Sequence, residues 1–362
     1  MNDDLLVQRV LEVLNEGDRV ATYKLALLLA IIEWATTHPG GEKIPTKELA
    51  EIVLAQYFRQ VRLFPVAGGE MLELQQGSNP NLAIVSAATR LAATYPQLSR
   101  LDVIKTQDQS LYDSAVSGVE ATLVGQPIPR LQTVGKTHIP FLYQWNWKAK
   151  QALGPIKAAG EDHLSLVPGV RERLVALGPL LRPIIEQFWV WDVAMWSKID
   201  TQEVEIRAHL FGSKRASFPK NLVAGLKQIQ AARCIYCSSS IAKGAEVDHF
   251  VPWSKFPNDA IENLVLACRK CNGKKSDHLC VPQFAERWLD RPSEELTRIA
   301  LSLNWESGAN KSRAIAANLY GSLVEGSVVW AGGENFVELE KSHLASLRTL
   351  FGINVLPVTA IR

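Results

Sequence analysis

Apolar residues recur at Leu5, Leu6, Val10, Leu11 and Leu14, a spacing that predicts an amphipathic helix over 4–14 stopping near Gly17. Thr22 to Ala35 is apolar on most of its circumference, which predicts a buried helix ended by His38-Pro39-Gly40-Gly41. Thr46 followed by Glu48 predicts a capped third helix through about Phe58. The exit Arg59-Gln60-Val61-Arg62 would suit a helix-turn-helix, but without a clear turn signature the expectation is three helices packed together with a solvated basic exit. Residues 64–80 are turn-rich (Pro65, Gly68, Gly69, Gly77, Pro80) and read as a connector before a helix over Leu82–Thr94. Residues 123–166 mix Pro, Gly and aromatics, including Trp145 and Trp147. Pro168 to Ser197 predicts one long helix or a broken pair carrying Trp189, Trp191 and Trp196, aromatics expected in the core rather than as base-stacking platforms. Helical period returns over 292–303, 312–323 and 336–351, and no internal repeat is visible.

The expected fold is therefore mainly α with a small α+β insertion. We divide it into an N-terminal helical region (1–75), a middle helical region suited to regulation or to binding DNA or a partner (76–222), a compact module (223–292) and a C-terminal helical region (293–362). A chain of 362 residues is long enough for two to three domains at roughly 150 residues each. Lys plus Arg number 39 against 37 Asp plus Glu, so any nucleic-acid surface must be local. The longest apolar run, Leu25 to Ile32, is far short of the ~20 residues that span a bilayer. With the acidic start Met1-Asn2-Asp3-Asp4, this leads us to expect a cytoplasmic protein with no membrane segment.

All five cysteines fall in one stretch, at 234, 237, 268, 271 and 280. Cys234 and Cys237, with Cys268 and Cys271, make two C-x-x-C pairs, and in a reducing compartment that pattern predicts one structural zinc held by four thiolates. Cys280 lies outside the pattern and reads as a small core thiol. Between the pairs, Glu246-Val-Asp248-His249-Phe-Val-Pro252 is a short β-like run in which a carboxylate and an imidazole are neighbours. Neighbours on a strand point to opposite faces, so the two share a site only if the backbone is irregular or their reach differs. Downstream, Arg269, Lys270, Lys274 and Lys275 form a local basic edge suited to phosphates.

The run C-x-x-C, D-H-F-V-P, E-N-L-V-L-A-C-x-x-C-N-x-K-K resembles the HNH nuclease motif, the ββα-metal fold. Val247 to Asp277 is also similar to the HNH lobe of RNA-guided DNA nucleases, which lacks the four cysteines. The resemblance covers about residues 230–285, and beyond it only Ala21-Thr-Tyr-Lys-Leu-Ala-Leu-Leu28 is loosely similar to HNH-containing bacterial proteins. It implies that His249 is the general base and that Asp248 and Asn272 are protein ligands of a catalytic divalent ion, magnesium or another. It further implies that Asn263 holds the His249 loop. A histidine ordinarily titrates near about 6.5, which suits a base at neutral pH.

The resemblance thus implies an endonuclease hydrolysing DNA, nicking as a monomer or cutting both strands as a dimer, in restriction, phage defence or mobile-element biology. The roughly 220 residues ahead of the module leave room for a protein partner or regulator. Two rivals remain open: a DNA-binding or scaffolding protein with a structural zinc knuckle and an inactive HNH site, and a nuclease acting on RNA or a single strand. His278 departs from the required groups and is at most a phosphate contact.

Overall fold

The structure, a computed structural model, describes residues 2–15, 19–66, 69–79, 81–134, 137–148, 150–199, 203–212, 218–241 and 244–353. It separates into two compact units, residues 1–35 with 40–213 and residues 36–39 with 214–362. The architecture is mainly α with small antiparallel sheets, as expected. Among the described residues no helix is long and apolar enough to cross a membrane.

The first unit runs α1 (Asp3–Asn15), α2 (Tyr23–Thr37), β1 (Lys43–Pro45), α3 (Thr46–Gln60), the short strands β2 (Phe64–Pro65) and β3 (Met71–Leu72), then α4 (Ala83–Thr94), α5 (Leu101–Gln107), α6 (Gln109–Gly125) and α7 (Pro127–Leu131). It continues through β4 (Thr133–Val134), β5 (Thr137–His138), β6 (Tyr143–Gln144), α8 (Leu153–Ala158), β7 (His163–Leu166), α9 (Val170–Ser197) and α10 (Glu203–Phe211). Its core forms where α3, α4 and α6 pack together and bury one stripe each: Leu49, Val53 and Tyr57; Ile84, Ala88 and Leu91; Val116, Val119 and Leu123. The position between 75 and 76 lies inside this unit, since α3 before it packs on α4 and α6 after it.

Two local expectations change here. Thr46 does not cap α3; Pro45 is the N-cap residue, and the Thr46 hydroxyl donates instead to the buried Glu120 carboxylate at 2.6 Å. That carboxylate also accepts from Lys157 Nζ at 2.6 Å, and satisfying a buried charge outweighs a helix cap. Residues 170–197 form one helix despite Pro179 and Pro183 inside it. Of its tryptophans, Trp189 is buried and donates to Gln76 Oε1 at 2.8 Å, whereas Trp191 is 48% exposed and so is not core.

The second unit comprises α11 (Lys220–Ile229), β8 (Ala245–His249), β9 (Leu264–Cys268), α12 (Arg269–Lys275), α13 (Pro282–Leu289), α14 (Ser293–Ser302), α15 (Ala309–Gly321), β10 (Val328–Gly332), β11 (Asn335–Glu338) and α16 (Lys341–Phe351). β8 pairs antiparallel with β9 from Ala245↔Cys268 to His249↔Leu264, and α12 packs on both strands, giving a ββα unit. β9 is buried on both faces at Leu264, Val265, Leu266 and Ala267, which holds the hairpin in the interior of the unit. The helix expected over 336–351 starts only at Lys341, because residues 335–338 pair with β10 as the second arm of a hairpin. Gly332 and Gly333 turn that hairpin at φ of 102° and 58°, values that disfavour residues with a Cβ.

Behind the ββα unit, the Phe250 and Trp288 rings stack with centroids 4.8 Å apart. Arg291 is buried and its guanidinium donates to the carbonyls of Trp288, Leu264 and Glu262; burial pulls its pKa down to about 10. An arginine spent on main-chain oxygens ties the end of α13 to the start of β9.

Candidate functional site

The two C-x-x-C pairs converge. Cys234 and Cys237 lie in the turn that precedes β8, Cys268 ends β9 and Cys271 sits in the first turn of α12, and their four Sγ atoms all lie within 4.8 Å of one another. Cys237 Sγ and Cys268 Sγ are 3.8 Å apart, about the edge of a tetrahedron with metal–sulfur bonds of ~2.3 Å. Burial and then the adjacent thiols raise Cys271, and burial raises Cys234. Cys237 is lowered to about 6: burial opposes the shift, but hydrogen bonds with Ser239 and with Cys234 and Cys271 outweigh it. Four thiolates this close repel one another, and a divalent cation is the chemistry that lets them coexist. The donor set and spacing therefore fit a structural metal. Cys280 is fully buried and outside the cluster.

Asp248 sits on β8 with 8% exposure. Its Oδ2 accepts from Tyr236 Oη at 2.6 Å and lies 3.1 Å from Lys275 Nζ. Burial and the Asp248 charge raise the Tyr236 phenol well above its ordinary pKa, so it stays a donor. Glu246, two residues earlier on β8 and so on the same face as Asp248, accepts from Asn272 Nδ2 at 2.8 Å. An ionised carboxylate can only accept, so Asn272 must turn its NH2 toward Glu246, which leaves Oδ1 as the atom for any other partner. Carboxylate and amide oxygens of β8 and α12 are the hard donors that suit a magnesium-like ion.

The His249 ring takes the other side of the strand end. Its Nε2 is 2.8 Å from Asp259 Oδ1, and it packs against Trp253 and Phe218 at ring-centroid distances of 5.3 and 5.7 Å. Asp259, ten residues downstream, carried no expectation from the sequence; the only signal was its place in the loop ahead of Asn263. Asn263 is fully buried, and its side chain accepts from Val251 N and donates to the carbonyls of Val251 and Asn258, clasping both ends of the loop after His249.

The comparisons with known proteins divide along the same lines as the two units. The HNH endonuclease family matches residues 234–278. A domain of unknown function, DUF8808, matches residues 4–210, more than half of the chain. The chain is a DUF8808-family protein with an HNH endonuclease module. The Septu protein PtuB of Bacillus thuringiensis is 28% identical over 88 residues, which is 23% of this chain and 34% of that protein, so the match spans about a third of the relative. No solved structure matches.

Within the HNH module the expected basic edge is smaller than the sequence suggests. Lys275 is not part of it: the side chain is fully buried, and its ammonium donates to the His249 carbonyl at 2.8 Å and lies beside Asp248. Four residues after the buried Cys271, it lies on the same inner face of α12, where a buried carboxylate awaits it. Lys274 is exposed and reaches Glu334 Oε2 at 2.7 Å. Arg269 and Lys270 are exposed, and His278 is exposed with its ring edge against Phe336.

Proposed function

We propose that this protein is a metal-dependent endonuclease that hydrolyses phosphodiester bonds in DNA. The observation that carries the reading is the hairpin-and-helix arrangement in which Asp248 and His249 end one strand while Asn272 on α12 bonds Glu246 of that same strand, with four thiols closing the base of the hairpin. His249 takes the proton from the attacking water. Asp248 and Asn272 hold the divalent ion, which when bound neutralises charge on the scissile phosphate and the leaving oxygen. Asn263 keeps the His249 loop in register, and Arg269 and Lys270, with Lys274, contact flanking phosphates. The four cysteines hold zinc. Restriction, phage defence or mobile-element biology is the setting, with the DUF8808 region serving as the regulatory or partner-binding part; the Septu-like segment supports that choice.

One observation favours the rival, a DNA-binding or scaffolding protein with a silent site: Asp248 already has an internal counter-ion in Lys275. Incubating purified protein with supercoiled plasmid decides between the two. Nicking is expected with magnesium or manganese, stopping reversibly under mild chelation that leaves the thiolate-bound zinc in place. Plasmid that stays intact with magnesium, manganese or nickel favours the silent-site reading.

A further inference from the structure

We infer that Asp259 is a positioning residue for His249, holding the imidazole in the tautomer with Nε2 protonated and Nδ1 bare. This rests on the nuclease reading only for its consequence; the geometry stands without it. Asp259 Oδ1 lies 2.8 Å from His249 Nε2. A carboxylate accepts and does not donate, so the contact requires hydrogen on Nε2 and leaves the lone pair on Nδ1.

The carboxylate is held where it is by its surroundings. The Asp259 carbonyl accepts from Trp305 Nε1 at 2.8 Å. Next to it, Asn258 donates to Ser312 Oγ at 3.0 Å, accepts from Ala260 N at 3.1 Å and has its own carbonyl bonded by Asn263. A loop pinned at four points presents one exposed-edge carboxylate to one ring, while Trp253 and Phe218 flank the ring and limit its rotation. The side chains are unequally covered, 10% exposed for His249 and 32% for Asp259, so the ring is shielded and the acid retains contact with water.

Asp259 therefore does not touch the phosphate. It selects which nitrogen receives the proton from water and steadies the imidazolium that results, the service a hydrogen-bonded carboxylate performs for histidine in other hydrolases. With Asp259 removed, both tautomers become populated and the ring loses one of its fixed partners.

The test uses the full-length, zinc-loaded protein labelled with ring-15N histidine at neutral pH, with the His249 signals assigned by their loss in His249→Ala. Wild type is expected to show Nε2 protonated and Nδ1 bare, and Asp259→Ala a mixture of both tautomers. In plasmid nicking, kcat of Asp259→Ala falls by roughly 10- to 100-fold while KM stays within about threefold. Zinc content and thermal midpoint match wild type, and Asp259→Glu recovers part of the loss. A wild-type tautomer in Asp259→Ala, or a kcat within about threefold of wild type, overturns the assignment. If the wild-type protein nicks nothing, the ring measurement alone decides the role of Asp259, and the failure falls on the nuclease reading.

Discussion

The helical unit and the HNH module bury ionised groups differently. In the helical unit Arg19 meets Asp192 through two contacts, at 2.6 and 2.9 Å, and its remaining nitrogen reaches the Leu14 carbonyl, so the pair is complete and its job is to fasten α9 to the chain after α1. In the module Lys275 meets Asp248 loosely, at 3.1 and 3.4 Å, while Tyr236 takes the same carboxylate at 2.6 Å. The planar guanidinium takes one bond to each oxygen of its carboxylate, whereas the phenol and the ammonium crowd Oδ2 of Asp248 and leave Oδ1 with only a 3.4 Å contact. The same chemistry thus engages both oxygens of the carboxylate in one region and mainly one oxygen in the other.

That contrast can be broken at several points. The largest effect is expected from Cys271→Ser or Cys234→Ser, which should abolish zinc binding and unfold the module while the helical unit keeps its far-ultraviolet signal, checked by elemental analysis and circular dichroism. Next, His249→Ala should cut plasmid nicking by about 10²- to 10⁴-fold with little change in melting temperature. Lys275→Met strands the buried Asp248 charge and should cost about 3–5 kcal/mol in denaturant unfolding, most of it recovered when Asp248→Asn is added. In the helical unit, Leu123→Ala should cost about 2–5 kcal/mol of stability without altering zinc content. The smallest change is expected from neutralising Arg269 and Lys270 together, which should flatten the salt dependence of DNA binding by about one unit of log-log slope per contact and leave cleavage chemistry unchanged.

Legibility followed the kind of interaction. α1 and α4 were readable because each buries one stripe at helical spacing, α2 because it is apolar nearly all round, and α6 carries the stripe signal at Tyr112, Val116, Val119 and Leu123 although Gly118 and Gly125 dilute it. The four-cysteine cluster was readable because thiolate spacing around one ion is local. Lys275 was misplaced because four neighbouring cations look alike in sequence, and only the turn of α12 decides which one faces inward. Thr46 was misread for a related reason: its partner, Glu120, lies 74 residues away. Asp259 was invisible because a loop residue has no period, and its meaning comes from where Asn258 and Asn263 anchor the chain around it.

The two C-x-x-C pairs flank the whole stretch from Asp248 to Asn263, and this has a consequence for biosynthesis. Cys271 emerges from the ribosome after every residue of that stretch, so the ring of four thiols closes last. The helical unit, encoded first, can fold while the module is still an open chain. On the proposed reading, in which the four thiols hold an ion, its supply would act as a late checkpoint in protein production: a cell short of that metal would make the first unit in full but leave the later one unfinished, without any change in how much messenger is translated.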